Sequence, residues 1–379
     1  MDGGDPPRPT ATVTSQGIGL DPAAVTRWID RLGIEHRGPL SFDRIGLGQS
    51  NLTFLVRDQD QGRWVLRRPP LGHLLASAHD VAREARILSA LEDTAVPTPK
   101  VYGLTTDPEV TEVPLLLMEF VDGQVVDRMS VAGQLPPQRR RAIGVSLPRT
   151  LAAIHAVDLQ ATGLIDLASH KPYAQRQLKR WGGQWELSKT REVPELDELT
   201  RRLTAAAPEQ HELTLVHGDF HLRNVITARE TGEVIAALDW ELCTLGEPLA
   251  DIGSLLAYWS EPGENTAGEF PATALEGFPD RAEVAQIYLD ETDRDLAALK
   301  YWHALGLWKV AVIAEGVMRR ARDEPKNAAE SGTADRRADR RTGHDGSQGR
   351  RRGRDLNTGP DEPLTPRPPR KTTTRRRDR

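Results

Sequence analysis

Cys243 is the only cysteine in 379 residues, so an internal disulfide is excluded. A single thiol in a chain of this length suits a reducing compartment. No stretch approaches the roughly 20 apolar residues that a membrane span needs. The most apolar late segment, Ala304 to Val317, is broken by Lys309 and Glu315. The N-terminus, MDGGDPPRPTATVTSQG, lacks the basic start and apolar core of a secretory signal. No internal repeat is present. These absences point to a cytoplasmic protein without a membrane association or a disulfide framework. Although Cys243 lies close to a candidate metal-binding aspartate, a small buried thiol is the simpler reading.

What is present is a chain long enough for a sizeable core, with 38% hydrophobic and 28% charged residues. Its net charge of −5 hides an asymmetry: residues 1–325 carry a net −13 and residues 326–379 a net +8. Residues 1–20, rich in Pro, Gly and Thr, are expected to be disordered. So is the Arg- and Pro-rich tail over 326–379, which has too few large apolar residues to offset its ordering entropy. The tail is the one feature able to touch nucleic acid, through non-specific phosphate contacts; a solvated extension explains it equally well, and no nucleic-acid partner is expected.

Residues 213–241 organise the rest. An apolar run (Leu213, Leu215, Val216) delivers His217-Gly218-Asp219, with Asn224 five positions after the aspartate. A second β-prone run, Val234 to Leu238, ends in Asp239-Trp240-Glu241, and Thr231-Gly232 between the two runs reads as a hairpin turn that would pair them. Two carboxylates and an amide delivered by neighbouring strand ends suit phosphoryl transfer. That reaction needs a base or positioner for the attacking hydroxyl and oxygen ligands for a magnesium ion on the phosphates. Asp219 fits the first role; Asn224 and Asp239 fit the second.

The D-x-x-x-x-N spacing matches the protein-kinase catalytic loop, but the HGD start is the form seen in aminoglycoside phosphotransferases and choline kinases. The sequence resembles that family, and within it the branch also found fused to acyl-CoA dehydrogenases. The resemblance implies an α+β, two-lobed protein-kinase-like fold, with a β-rich N-lobe over 21–121 and a mostly helical C-lobe over 122–325. It also implies ATP as donor, with GTP not excluded, Mg²⁺, and a small-molecule hydroxyl acceptor.

In the N-lobe, Asp21-Pro22 caps a first helix that Gly33 closes. Between strands at Leu40–Ile45 and Leu52–Arg57 lies Gly46-Leu47-Gly48-Gln49-Ser50-Asn51, a glycine turn whose N–H groups can approach phosphate. Its GQSN form also resembles the family's loop, making Gly46, Gly48, Ser50 and Asn51 candidate nucleotide contacts. The third strand carries Arg67 where kinase-like folds place a lysine, a departure from the wider pattern. Strand alternation sets Arg67 and Arg68 on opposite faces, and Arg67, on the face of Val65, is the choice for phosphate. Its partner is expected to be Glu84, on a helix capped by Asp80. The segment Glu119–Val121 is the expected hinge, whose backbone would meet the purine edge.

Further along, Pro136–Val157 reads as a long helix that Pro148 should kink or split. His155 and Asp251 resemble the family's structural supports of the catalytic loop. Helices are expected over Pro172–Lys189, Glu195–Ala206, the segment after Glu247-Pro248, and Asp293–Arg322. The tryptophans Trp181, Trp185, Trp240, Trp259, Trp302 and Trp308 read mainly as core. The acceptor is less constrained. The resemblance points to a hydroxyacyl thioester or related hydroxy metabolite, whereas Glu241, Glu247, Glu261, Glu264 and Glu269 could form an acidic face for an aminoglycoside. A nucleotide-binding regulator without turnover is a further reading, and protein-kinase activity is disfavoured by the absence of an APE-like segment. No oligomeric state follows from the sequence.

Overall fold

Short runs of alternating apolar residues in the first third build a five-stranded antiparallel sheet of order β1-β2-β3-β5-β4. Its strands are β1 (Ser41–Ile45), β2 (Leu52–Arg57), β3 (Arg63–Arg68), β4 (Val101–Thr105) and β5 (Leu115–Glu119). The computed structural model describes residues 19–45, 51–70, 80–167, 171–264 and 271–323. The candidate phosphate-loop residues Gly46, Gly48 and Ser50, both termini and Glu269 therefore lie outside the described residues.

The period-two alternation of a strand divides the sheet's side chains between two cores. Phe54, Leu66, Leu115 and Leu117 pack with Val25, Trp28 and Ile29 of α1 (Pro22–Arg31). Leu116 and Met118 face the other way and join Ala85 and Leu88 of α2 (Val81–Leu91) in the larger core. Both helices begin where capping chemistry directs: Asp21 accepts from Ala23 and Ala24 N–H, and Asp80 from Arg83 N–H.

After Glu119 the chain is mainly helical. It runs through α3 (Met129–Gln134), α4 (Pro137–His155), α5 (Tyr173–Ser188), α6 (Pro194–Ala205), α7 (Leu249–Tyr258), α8 (Arg281–Thr292) and α9 (Leu296–Asp323). Two small ribbons interrupt the helices: β6 (Thr214–Val216) pairs with β9 (Thr244–Gly246), and β7 (Val225–Thr227) with β8 (Val234–Ala237). The α+β, two-part kinase-like architecture is thus present.

Two local expectations are corrected. Pro148 does not split its helix: α4 continues across it, with Leu147, Pro148, Leu151 and Ile154 buried, so tertiary packing outweighs the lost backbone bond. The apolar run before His217 pairs with β9, not with the run that ends at Asp239. The Thr231-Gly232 turn joins β7 to β8, with Gly232 at φ 82°.

The crossing of α7 and α9 sets the floor of the C-lobe. A Cβ on Gly253 would lie 2.5 Å from the Trp302 carbonyl oxygen, and one on Gly306 would lie 2.6 Å from the Gly253 oxygen. Only glycines allow the two backbones to approach this closely. Asp251, two residues before Gly253, is thereby held beneath the HGD turn.

Candidate active site

The HGD turn is built from β6 outward and fastened from below. Gly218 adopts φ 85°, and a Cβ there would lie 2.7 Å from the Leu242 carbonyl oxygen, so glycine is required. Asp251, 1% exposed, accepts the backbone N–H of His217 at 2.6 Å and of Gly218 at 2.9 Å. Its Oδ2 also meets His155 Nε2 at 3.4 Å, while His155 Nδ1 meets the Tyr288 hydroxyl at 2.7 Å. Arg294 in turn donates to that hydroxyl and to Glu212. Burial alone would raise the Asp251 pKa, but His155, His217 and the Gly218 N–H reverse the shift and keep it ionised.

His217 is fully buried, and desolvation lowers its pKa, favouring the neutral ring. Its Nε2 donates to the Leu238 carbonyl at 3.0 Å, and its Nδ1 accepts from Asp219 N–H at 3.3 Å. The imidazole therefore bridges the two segments that carry Asp219 and Asp239. A second brace runs beside it: Leu238 N–H donates to the Asn224 carbonyl at 2.8 Å.

Asn224 Nδ2 donates to the Asp219 carbonyl at 2.9 Å and to its Oδ2 at 3.2 Å, and His221 Nε2 lies 3.5 Å from the same oxygen. Desolvation would raise the Asp219 pKa; the His221 hydrogen bond and charge, with Lys309 and His217, outweigh it and hold the carboxyl well below its usual range. A carboxylate so held orients a hydroxyl well but is a weak base until negative charge develops on the attacking oxygen.

Asp239 has a left-handed backbone, φ 67° and ψ 59°, unusual for a residue with a Cβ. Its Oδ1 receives Arg67 Nη2 at 2.8 Å, and Arg67 Nη1 reaches Glu84 Oε1 at 3.1 Å. One guanidinium fork thus spans a carboxylate from α2 and one from the segment after β8. Arg68 turns to the opposite face, donating to the Gly19 and Pro69 carbonyls. Glu84 is 2% exposed, and burial pushes its pKa up to about 7 against the pull of Arg67, with Asp239 and Glu241 adding to the rise.

For a carboxyl whose folded pKa is raised, the stability it contributes is complete below the unfolded value near 4.5 and is lost as pH rises through about 7. Glu84→Gln removes this titration. The difference in unfolding free energy between the two proteins should therefore shift in favour of the variant between pH 5.5 and 8. Urea titrations at both pH values check this, and a pH-independent difference contradicts it.

The remaining candidates are less completely placed. Asn51 is 6% exposed, and neither of its amide atoms has a hydrogen-bond partner among the described residues. Glu119 N–H donates to the Lys100 carbonyl at 2.8 Å, and its carboxylate accepts from Lys100 N–H at 3.2 Å. Its N–H is thus committed within the sheet, and Val121 is half-buried. Just beyond, Gln124 exchanges backbone hydrogen bonds with Thr227, tying this segment to the β7–β8 ribbon.

Asn224 and Asp239 carry amide and carboxylate oxygens of the kind Mg²⁺ takes. Asn224 turns its amide nitrogen to Asp219, leaving Oδ1 on the other side of the amide, and Arg67 occupies only Oδ1 of Asp239. Among the described residues no cluster of three or more His, Cys, Asp or Glu could hold a metal. One carboxylate and one amide fit Mg²⁺, which keeps several waters and takes phosphate oxygens for its other positions.

The model of the phosphotransferase enzyme family (APH) matches residues 41–287, from β1 into α8. The chain belongs to that family.

Relatives of this phosphotransferase extend the picture. Mouse acyl-CoA dehydrogenase family member 10 is 38% identical over 295 residues, covering 76% of this chain and 27% of the relative. Rat acyl-CoA dehydrogenase family member 11 is 33% identical over 305 residues, covering 79% and 39%. This chain therefore spans well under half of either relative. A solved structure from Ralstonia eutropha, assigned provisionally as an aminoglycoside phosphotransferase, shares 32% identity and a TM-score of 0.68 over 84% of this chain and 93% of its own.

Two residues of this phosphotransferase escaped the sequence reading as site components. His221 sits against Asp219 and edge-on to Tyr258; a histidine two positions past the HGD aspartate was the available signal. Lys309 is 8% exposed and donates to the Gly218 carbonyl at 2.6 Å. Its signal was a cation on the apolar stripe of α9, read only as a break in a hydrophobic run. The suggested acidic face does not form as imagined: Glu247 is buried, and Glu261 and Glu264 are paired with Arg281. Trp240, Trp259 and Trp308 are core residues, while Trp181 is half-buried. Cys243 is buried, with its thiol pKa pushed up by desolvation. No described helix is long and apolar enough to cross a membrane.

Proposed function

We propose that this phosphotransferase moves the γ-phosphoryl group of ATP to the hydroxyl of a small hydroxylated metabolite, with a hydroxyacyl thioester as the preferred class. The observation that carries the reading is a run of contacts: Asn224 donates to the Asp219 carboxylate, Leu238, beside Asp239, donates to the Asn224 carbonyl, and Arg67 joins Asp239 to Glu84. Arg67, held by Glu84, would offset phosphate charge, with Asn51 and the glycine turn on the same nucleotide. Asn224 and Asp239 would hold Mg²⁺, which when bound neutralises charge on the phosphates. Asp219 positions the acceptor hydroxyl in line. As the acceptor O–P bond forms and the bond from γ-phosphorus to the β–γ bridging oxygen breaks, the hydroxyl proton passes to Asp219 and ADP leaves. The depressed pKa of Asp219 then returns the proton to solvent.

The acyl-thioester preference draws on the dehydrogenase-family relatives and on three of the acids named for a cationic acceptor, Glu247 being buried and Glu261 and Glu264 being paired with Arg281. A lone buried thiol is compatible with a reducing cytoplasm. A panel of hydroxyacyl thioesters, choline and kanamycin with γ-labelled ATP or GTP tests the reading. Label transfer to the thioesters supports it; transfer only to kanamycin reverses the acceptor, and transfer to none sinks it. A second reading, a nucleotide-binding regulator, draws on Arg67 standing where kinase-like folds place a lysine and pairing with Asp239. Thermal shifts with ATP and Mg²⁺ in the absence of turnover would favour that alternative.

A further inference from the structure

Glu212 stands just ahead of β6, and His217 and Gly218 directly follow that strand. Side chains from α4, α7, α8 and the turn after α8 connect these two ends. Arg294, in that turn, donates to Glu212 Oε2 at 2.7 Å and through Nη1 to the Tyr288 hydroxyl at 3.2 Å. The same hydroxyl, on α8, meets His155 Nδ1 at 2.7 Å. His155, the last residue of α4, faces Asp251 Oδ2 through Nε2 at 3.4 Å, and Asp251 takes the His217 and Gly218 N–H groups. Tyr288, His155 and Asp251 are all buried.

The chemistry of these groups fixes where each proton lies. A guanidinium can only donate, so the Tyr288 oxygen accepts from Arg294 and its own proton points to His155 Nδ1. A neutral imidazole that accepts at Nδ1 carries its proton on Nε2, which then donates to Asp251. Burial lowers the His155 pKa and favours that neutral ring, against the pull of Asp251. The other tautomer would turn an Nε2 lone pair toward a carboxylate oxygen and break the longest link in the series. Every donor therefore points the same way, from Arg294 to the carboxylate beneath the HGD turn.

We propose that Tyr288 and Arg294 are positioning residues, which fix His155 as its Nε2–H tautomer and thereby hold Asp251, the HGD turn and Asp219 in place for transfer. For its effect on transfer the inference rests on the kinase reading above, whereas the tautomer and the order of the turn can be measured without turnover.

The test uses the full chain with nitrogen-labelled histidine, whose ring signals distinguish protonated from bare nitrogens; the His155 pair is assigned by its loss in His155→Gln. In the wild type Nε2 should be protonated and Nδ1 bare. Tyr288→Phe, which removes only the hydroxyl, should lose that single tautomer and speed amide hydrogen exchange in the peptide holding His217 and Gly218. Its kcat should fall about ten- to a hundredfold, the effect of displacing a reacting group by about 1 Å, with KM for ATP within about twofold. Arg294→Met should move the tautomer the same way to a smaller extent, and Arg294→Lys, which keeps a donor, should restore it. A wild-type His155 protonated on Nδ1 overturns the proposal. So does a Tyr288→Phe protein that loses stability while tautomer, exchange and kcat stay unchanged, which would leave Tyr288 only a packing role. If tautomer and exchange respond as expected but the wild type transfers label to no hydroxyl, the kinase reading alone fails.

Discussion

Replacing Asp219 by alanine is expected to lower kcat by about a thousandfold, within the range for loss of a positioned acid–base group, while ATP affinity stays within about twofold. The separation follows from the contacts. Asp219 is bound by His221 and Asn224, whereas Arg67 is held by Glu84 and Asp239 across the cleft. Removing the first carboxylate leaves the second cluster intact. Asp219→Asn keeps the shape but cannot take a proton or balance His221 and Lys309, so its loss in kcat should be of the same order. Single-turnover transfer combined with equilibrium nucleotide binding checks both variants; a normal turnover number in either removes Asp219 from its role.

Arg67→Met is expected to be the most destabilising single change in the site, costing about 3–5 kcal/mol because a buried ion pair is broken from one side. Glu84, 2% exposed, and Asp239 would face each other without a shared cation. The cost has a built-in limit. Without the guanidinium the Glu84 pKa rises beyond its value of about 7, so protonation removes part of the penalty. The variant should therefore lose less stability at pH 6 than at pH 8. Adding Glu84→Gln should restore a large part of the loss, because the buried charge is gone. Arg67→Lys should recover only part, since a point charge cannot span both carboxylates as the planar fork does. Chemical denaturation at the two pH values measures each variant. Equal losses for the single and double variants would show that the unpaired Glu84 charge is not what destabilises the single variant.

The contrast between these two predictions reflects how differently the residues were legible. Asp219 and Asn224 stand five apart in one turn, so local spacing places both on the same loop. Arg67, Glu84 and Asp239 are separated by a helix and most of a lobe. Strand alternation gave the face of Arg67, and a capped amphipathic helix offered Glu84, but neither indicated that Asp239 would close the fork from beyond β8. Pro148 failed as a helix breaker because its local cost was exceeded by burial along α4. Lys309 was invisible beside Gly218 because its placement depends on the crossing of α7 and α9 at Gly253 and Gly306, both far along the chain from the catalytic loop.

The order of elements, the HGD turn with its asparagine, the capped helices and the amphipathic stripes are consequences of short-range chemistry: dihedral preference, capping and hydrophobic period act over a few residues and can be read in one dimension. The joining of Asp239 to Arg67, the support of Asp251 beneath Gly218, and the ammonium of Lys309 at the loop's edge arise only when distant elements pack. Each requires a buried charge to find its partner in a low-dielectric interior, and that match is decided by the three-dimensional arrangement of whole helices and sheets.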